Sequence, residues 1–310
     1  MTASPPGRRR QIAVWTHDSR PAALSAAGRF IEAMAAHGVD CLVRPEALAA
    51  LAGRVGGAGP RAADSPLPPA VELVVVFGGD GSILRGAQWA LAADIPLLGV
   101  NLGHVGFLAE LEVSQLDQLA DRVAGHEYAS ERRLTLASAV FPPGADEPAW
   151  QGLAVNEAAL EKASRQSMIE VMAAVDGLPV SRWSCDGVLV STPTGSTAYA
   201  FSAGGPIMWP DLEAFLLVPM SAHALFNRAM VLAPGSAVCL DLLTPVPAVL
   251  SLDGARGVDV APGSRVEVRR GAHDLTMARL AVQPFTSRLV KKFALPVDGF
   301  PGRQGMTAPC

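Results

Sequence analysis

Residues 73–84 (LVVVFGGDGSIL) constrain the fold of this chain more than any other stretch. The first five are all apolar, and a run without alternation is typical of a parallel strand that is covered on both faces. Glycines then interrupt the pattern, and Ser82 precedes apolar residues at helical spacing, so we expect Ser82 to cap a helix. The stretch therefore predicts a buried strand, a glycine turn and a helix.

Asp80 is the single carboxylate among these glycines. Glycine lets a bulky anionic group approach the main chain, and the free N–H groups at a helix start attract phosphate. A carboxylate there repels phosphate unless it holds a metal or accepts a proton from the group that attacks phosphate. A plain tight turn is the structural alternative, and the stretch matches neither the P-loop nor the G-x-G-x-x-G fingerprint. The stretch suggests phosphoryl chemistry and needs a second motif in support.

The composition is that of a packed globular protein. The chain has 310 residues, of which 50% are hydrophobic and 17% charged, so it has room for two domains with their own cores. A net charge of −4 argues against nucleic-acid or polybasic membrane partners. We expect neither a membrane span nor a signal peptide. The four cysteines are too scattered for a zinc site or a disulfide framework, so we expect a cytoplasmic protein.

The pattern of predicted elements changes near residue 130. Before it, strands and helices alternate, which predicts an open doubly wound sheet, with a mobile loop rich in Gly and Pro at 53–69. After it, short strands predominate, joined by turns such as Asp176-Gly177. We therefore expect a disordered tail at 1–10, an α/β domain at 11–129, a β-rich domain at 130–285, and a C-terminal helix and tail at 286–310 that pack back on the first domain.

Residues 185–199 (CDGVLVSTPTGSTAY) are the second motif. A predicted strand opens into a turn with five hydroxyl side chains and a tyrosine. Hydroxyls that cap one another are the structural alternative. So dense a set of donors and acceptors is also suited to a polar ligand such as a nucleotide. Asn156 and Glu157 add an amide and a carboxylate at the end of another predicted strand.

Together these motifs resemble the bacterial NAD kinases. The segments GGDGS at 78–82, NLGHVGF at 101–107 and TPTGSTAY at 192–199 occur in the family's order and spacing, together with Asn156-Glu157 and Asp186. The resemblance extends over about residues 12–293. It implies a Rossmann-like N-terminal domain with a parallel sheet, a β-rich, β-sandwich-like C-terminal domain, and a site between the two.

The resemblance also implies the reaction. A phosphoryl group would pass from ATP, or from inorganic polyphosphate, to the 2′-hydroxyl of the adenosine ribose of NAD, with Asp80 as general base. Mg²⁺ would enter with ATP as the divalent metal, and the chain would form a homodimer or homotetramer. The residues that the resemblance assigns to phosphate and dinucleotide binding are Gly79, Gly81, Ser82, Arg85, Asn156, Glu157, Asp186, Thr194, Thr197, Ala198, Tyr199, Ala200, Phe201 and Ser202.

Three other functions compete with this one. A lipid kinase shares the Gly-Gly-Asp-Gly motif but needs a greasy cleft, for which the hydroxyl-rich turn is the wrong lining. An inactive NAD(H)-binding regulator would not need Asp80. A Rossmann dehydrogenase would carry a G-x-G-x-x-G fingerprint after its first strand, and this sequence has none there. Four residues are left without a role, because each is explained as well by a structural or solvated position: His104, His223, Arg132 and Arg133.

Overall fold

The computed structural model describes residues 9–56, 59–102, 106–109, 116–280 and 284–297. It contains three sheets, one largely parallel and two antiparallel. No helix in these ranges is long and apolar enough to cross a bilayer.

The first sheet has seven strands in the order β3-β2-β1-β4-β5-β19-β6. All its pairs are parallel except the one between β19 and β6. Its strands are β1 (Gln11–Thr16), β2 (Asp40–Val43), β3 (Arg61–Ala62), β4 (Val71–Phe77), β5 (Leu97–Val100), β6 (Ala129–Arg133) and β19 (Leu275–Arg279). The helices around it are α1 (Pro21–Ala36), α2 (Pro45–Leu51), α3 (Asp80–Ala93), α4 (Leu116–Ala124) and α6 (Phe285–Phe293).

The central strand β4 confirms the buried strand that its sequence predicts. Residues 73–77 are fully buried, with Leu73, Val75 and Phe77 in the core on one face and Val74 and Val76 in the core on the other. Strands covered on both faces lose any apolar–polar alternation, which is why this run is continuous. Helix α1 is followed by Gly38, whose φ of +72° is a conformation that favours glycine.

Two local predictions are wrong. Ser82 does not cap α3, because the helix begins at Asp80 after an extended Gly79 (φ −82°, ψ −176°), which leaves Ser82 inside the first turn. Ser82 is instead packed against Gly78, where an added Cβ would lie 2.5 Å from its Oγ. The start of α3 therefore carries the Asp80 carboxylate, whose charge the helix dipole stabilises. Within the predicted loop at 53–69, residues 61–62 form the edge strand β3.

The two antiparallel sheets pack face to face over one core, as in a β-sandwich. One has the order β11-β10-β15-β18-β7-β8, with β7 (Leu136–Phe141), β8 (Trp150–Ala154), β10 (Ile169–Val175), β11 (Leu178–Cys185), β15 (Val238–Leu242) and β18 (Arg265–Arg270). The other has the order β14-β13-β12-β9-β16-β17, with β9 (Glu157–Lys162), β12 (Gly187–Ser191), β13 (Phe215–Met220), β14 (Met230–Leu232), β16 (Ala248–Leu252) and β17 (Arg256–Val260). A short helix, α5 (Tyr199–Ser202), follows β12.

The chain returns to the first sheet after it has built the sandwich. Strands β6 and β19 flank the sandwich in sequence and pair with each other, and β19 also pairs with β5. Helix α6 then contacts the loop after β5, where buried Arg288 donates to the carbonyl of Phe107 at 2.8 Å. Although β6 and β19 belong to the first sheet, they lie within or at the border of residues 130–285, which the sequence analysis assigned to the β-rich domain. The exact domain boundaries stay a prediction.

Candidate functional site

The carboxyl ends of β4 and β5 meet at Asp80. The amides of Phe107 and Leu108, in the loop after β5, donate to the two carboxylate oxygens of Asp80 at 3.0 and 3.2 Å. Gly106 lies so close that an added Cβ would be 2.3 Å from Asp80 Oδ1. Two backbone donors and one glycine therefore fix the position of this carboxylate. His104 lies outside the described residues.

The hydroxyl-rich turn after β12 is partly self-capped. Thr192 Oγ1 donates to the carbonyl of Val155 at 2.6 Å and accepts from the amide of Gly195 at 3.1 Å. Ser196 Oγ donates to the carbonyl of Pro193 at 2.7 Å. Thr194 differs, because its Oγ1 is buried and makes no hydrogen bond. The structural alternative thus accounts for Thr192 and Ser196, and leaves Thr194 available to a ligand.

The hydroxyl-rich turn packs closely against the junction of β8 and β9. An added Cβ on Gly195 would lie 2.2 Å from the carbonyl oxygen of Asn156, which also accepts from the amide of Thr192 at 2.8 Å. Beneath it, the Asp253 carboxylate accepts from the amides of Asn156 at 2.7 Å and Val155 at 2.9 Å. Asn156 Oδ1 is buried without a hydrogen-bond partner. The backbone of the junction is fixed, and the side-chain amide of Asn156 is left with an unused acceptor.

Sequence reasoning did not select Asp253, which a hairpin turn explains equally well. Asp253 has φ +53° in the connection between β16 and β17, and Arg256 donates to its carboxylate at 3.1 Å. Arg256 also donates to Gln88 of α3 at 2.9 Å. This chain of contacts ties the helix of the first motif to the Asn156 junction of the second.

Glu157 is a buried carboxyl with an unusual protonation state. Only 5% of the residue is exposed, and its Oε2 has no hydrogen-bond partner. Burial, followed by the nearby Asp253 carboxylate, raises the pKa of Glu157 to about 8. Burial also raises the pKa of Asp253. At neutral pH Glu157 is therefore largely protonated and able to donate a hydrogen bond as well as accept one.

Glu157 should make the stability of the protein depend on pH. A carboxyl whose pKa is higher in the folded state holds an extra proton there, so the free energy of unfolding falls as pH rises from about 4.5 towards 8. We expect Glu157→Gln to flatten this decline by up to about 1 kcal/mol per pH unit, as measured by urea unfolding at pH 5, 6.5 and 8. Exposed Glu147→Gln is the matched control. Parallel stability curves for the parent and Glu157→Gln would contradict the assignment.

The other predicted residues lie around the Asp80 loop and the hydroxyl-rich turn. Asp186 forms an ion pair with Lys162 at 2.5 Å, and the Tyr199 hydroxyl donates to Glu161 at 2.8 Å. The Phe201 ring packs 4.8 Å from that of Phe293 on α6, centroid to centroid. Ala200, on the inner side of α5, is fully buried. The remaining residues reach the surface to some degree, at the start of α3 or around α5: Gly79, Gly81, Arg85, Thr197, Ala198 and Ser202.

One cavity connects the Asp80 loop to the hydroxyl-rich turn. Phe107 and Leu108 line it on one side, and Pro193, Thr194 and Thr197 on the other. The loop that holds Asp80 and the hydroxyl-rich turn, which are distant in the chain, therefore share one space. Its other walls include residues that the sequence analysis did not select or left open: Glu131, Arg133, Pro210, Arg279, Phe285 and Arg288. Within the described ranges, no three His, Cys, Asp or Glu side chains gather to hold a metal ion.

Comparison with known proteins identifies similar chains. Residues 61–128 match the model of the ATP-NAD kinase N-terminal domain, and residues 155–280 match that of the ATP-NAD kinase C-terminal domain. An NAD kinase of Cutibacterium acnes is 51% identical over 298 residues, which are 96% of this chain and 92% of that protein. NAD kinase 2 of Streptomyces coelicolor is 46% identical over 301 residues, covering 95% and 98%.

Two solved structures share the fold. Yeast NADH kinase complexed with NADH has a TM-score of 0.82 at 22% identity, covering 99% of this chain and 95% of that one. An NAD kinase from Archaeoglobus fulgidus in complex with ATP has a TM-score of 0.69 at 25% identity, covering 93% of this chain and 100% of that one. The predicted combination of a parallel-sheet domain and a β-rich domain is confirmed.

Proposed function

The chain belongs to the NAD kinase family, and from this premise we propose how its own residues perform the reaction. The enzyme transfers the γ-phosphoryl group of ATP to NAD and forms NADP. The acceptor is the 2′-hydroxyl of the adenosine ribose. The observation that carries the mechanism is the Asp80 carboxylate, held by two amides of the loop that lines the cavity.

We propose that Asp80 is the general base. An alcohol is a poor nucleophile, and a placed carboxylate accepts its proton as the new bond forms. The 2′-oxygen forms a bond to the γ-phosphorus, the bond from that phosphorus to the β,γ-bridging oxygen breaks, and the proton moves to Asp80 while ADP leaves. The two amides support this role, because they fix the position and orientation of the carboxylate.

The dinucleotide would bind on the sandwich, at the hydroxyl-rich turn and the Asn156 junction. Three buried polar atoms there lack partners, namely Oδ1 of Asn156, Oε2 of Glu157 and Oγ1 of Thr194. Buried polar groups are normally hydrogen-bonded, so these atoms are suited to the hydroxyls and amide groups of a bound dinucleotide. The residues around α5 would wall the adenosine, with Asp186 as a further polar contact: Thr197, Ala198, Tyr199, Ala200, Phe201 and Ser202.

The phosphoryl donor would bind at the start of α3. Gly79 and Gly81 leave open space, since an added Cβ on either meets nothing within 4 Å. Backbone amides at a helix start bind phosphate, with Ser82 and exposed Arg85 close by. Mg²⁺ would enter as part of the MgATP substrate, because the ion prefers phosphate oxygens and water to an all-protein cage.

We also propose a homodimer or homotetramer in the cytoplasm, acting on small-molecule substrates. Strands β11 and β14 lie at sheet edges. They expose Leu178 to 72% and Val231 to 61%. Apolar side chains on exposed edges support contact with another copy of the chain.

The reaction is tested with purified protein, NAD, Mg²⁺ and either ATP or inorganic polyphosphate. We expect NADP to form, detected with an NADP-specific dehydrogenase, and no product from NAD whose adenosine 2′-hydroxyl is replaced by hydrogen. Phosphorylation of that deoxy analogue would refute the 2′-position. Measurable NAD binding without NADP formation from either donor would favour the inactive regulator.

A further inference from the structure

One guanidinium connects the helix that carries Asp80 to the sandwich. Arg256, the first residue of β17, donates through Nη2 to the carbonyl of Leu153 at 2.6 Å and to the Asp253 carboxylate at 3.1 Å. Through Nη1 it donates to the side-chain oxygen of Gln88 on α3 at 2.9 Å. The fork of a guanidinium is planar and rigid, so bonds to its two nitrogens restrict the angle between the groups that accept them. Arg256 therefore constrains the orientation of α3 relative to the sandwich.

The sandwich end of this connection is firmly anchored. The side chain of Asp253 is only 2% exposed, whereas that of Arg256 is 34% exposed. A buried carboxylate is costly unless it is paired with a cation and hydrogen-bonded. Asp253 meets both conditions, because Arg256 and the amides of Val155 and Asn156 donate to it. The turn between β16 and β17 therefore holds the guanidinium in place, with Nη1 directed at α3.

Both ends of the connection are tied to groups of the proposed reaction. Gln88 follows Asp80 on α3 by about two turns, roughly 12 Å along the helix axis. At the other end, Asp253 accepts from the amide of Asn156 at 2.7 Å. Asp80 is the proposed base, and Asn156 is a proposed contact of the dinucleotide. A tilt or slide of α3 at Gln88 therefore changes the distance between the base and the bound acceptor.

Apolar packing brings the same two elements together without fixing their orientation. Val155, at the junction of β8 and β9, is fully buried in one hydrophobic cluster with Leu84 of α3. Hydrophobic contact is non-directional, so it holds α3 against the junction but permits small rotations of the helix. The hydrogen bond between Gln88 and Arg256 supplies the direction that this packing lacks.

We propose that Arg256 and Gln88 are positioning residues, whose hydrogen bond aligns the Asp80 carboxylate with the 2′-hydroxyl of the bound dinucleotide. The two side chains act through α3 and the sandwich. Reacting groups must be held in a narrow range of distance and angle, and a displacement of about 1 Å caused by a distant substitution can cost roughly a hundredfold in rate. The inference rests on the proposed function, because it presupposes that Asp80 is the base and that Asn156 contacts the dinucleotide.

Gln88→Met tests the alignment without weakening the helix. Methionine has nearly the length and the helix propensity of glutamine, but it cannot take the place of the amide oxygen that accepts from Arg256. It also removes Nε2 of Gln88, which is buried without a hydrogen-bond partner among the described residues, so urea unfolding should show no loss of stability. We expect kcat for NADP formation to fall about tenfold, while the calorimetric affinity for NAD stays within about twofold of the parent.

Two further variants separate the hydrogen bond from other effects of the substitution. Gln88→Glu keeps an oxygen that accepts from Arg256 and should retain most of the parental kcat. Gln118→Met makes the same exchange at an exposed position of α4, and it should change neither kcat nor the affinity for NAD. If Gln88→Glu were as slow as Gln88→Met, any change at this position would be damaging, and the role of the hydrogen bond would be contradicted.

Arg256→Met and the double variant show whether the two residues act together. Arg256→Met leaves the buried Asp253 carboxylate without its cation, so we expect it to lower stability and NAD affinity as well as kcat. If the residues act through their shared bond, adding Gln88→Met to Arg256→Met should lower kcat by less than about twofold more.

The outcomes distinguish this inference from the proposed function. With an active parent, a kcat of Gln88→Met within about twofold of the parental value, or a full further loss of about tenfold in the double variant, would overturn the inference and leave the proposed function intact. If the parent forms no NADP, the reaction that the bond would align is absent, and the inference fails together with the proposed function.

Discussion

Replacing Asp80 by Asn is expected to lower kcat for NADP formation by about 10²–10⁴-fold, the usual contribution of a placed general base. The amide has nearly the shape of the carboxylate, but it cannot accept the proton of the 2′-hydroxyl. Its NH₂ group would also face one of the two amides that now donate to Asp80, from Phe107 or Leu108. The loss should therefore appear mainly in kcat, with a much smaller change in the affinity for NAD.

Helix α3 supplies its own control at its other end. Asp94 is exposed and has φ 51°. Asn tolerates this left-handed conformation well, so Asp94→Asn should leave both activity and stability near parental values. Initial rates with saturating NAD and ATP, together with calorimetric NAD affinities, would compare the two variants. A kcat for Asp80→Asn within a few-fold of the parent would exclude Asp80 as the base.

Replacing Gly195 by Ala is expected to damage the proposed dinucleotide site and the fold together. The new Cβ would lie 2.2 Å from the carbonyl oxygen of Asn156 and 2.5 Å from its carbonyl carbon. These are backbone atoms, which cannot rotate away as a side chain can. The turn must move off the junction of β8 and β9, and with it Thr194. We expect NAD affinity to fall at least a hundredfold, and the free energy of unfolding to fall by about 1–3 kcal/mol, as in overpacked cores.

Gly235→Ala is the matched substitution. Gly235 lies away from the site, does not have a positive φ, and an added Cβ there meets nothing within 4 Å. Alanine there should be neutral or slightly stabilising, since it restricts the unfolded chain. Urea unfolding and NAD titration of both variants provide the comparison. If Gly195→Ala bound NAD with parental affinity, the close contact would have no importance for the site.

The sequence predicted the elements of the site better than their contacts. The run at 73–77 and its glycines define a strand and a turn because both patterns are local. The environment of Asp80 is not local, since its two donors belong to the loop after the next strand. Ser82 was predicted to cap α3 because serine is favoured at the N-cap, but serine also occurs in the first turn of helices. The extended Gly79 occupies the N-cap position instead. In the sequence, Asp253 is explained by a hairpin turn. Only the fold shows that its carboxylate accepts from the amide of Asn156.

Arg132 and Arg133 show the same limit more strongly. Arg132 and Arg133 are identical neighbours in the sequence, and the alternation of a strand places one on the surface and the other in the core. Which of them is buried depends on the register of β6 against β19, and β19 belongs to a distant part of the chain. No local signal distinguishes the two residues.

The place of β19 in the first sheet bears on how the protein is made. A ribosome releases β1 to β5 early, yet β5 keeps an open edge until β19 has been synthesised, after the whole sandwich. A buried strand with an unpaired edge is prone to pair with other chains. The first sheet of the nascent chain therefore stays incomplete while the sandwich folds. Strand β19 and helix α6 then complete the sheet and contact the loop that donates to Asp80, so an unfinished polypeptide lacks these supports of the proposed base.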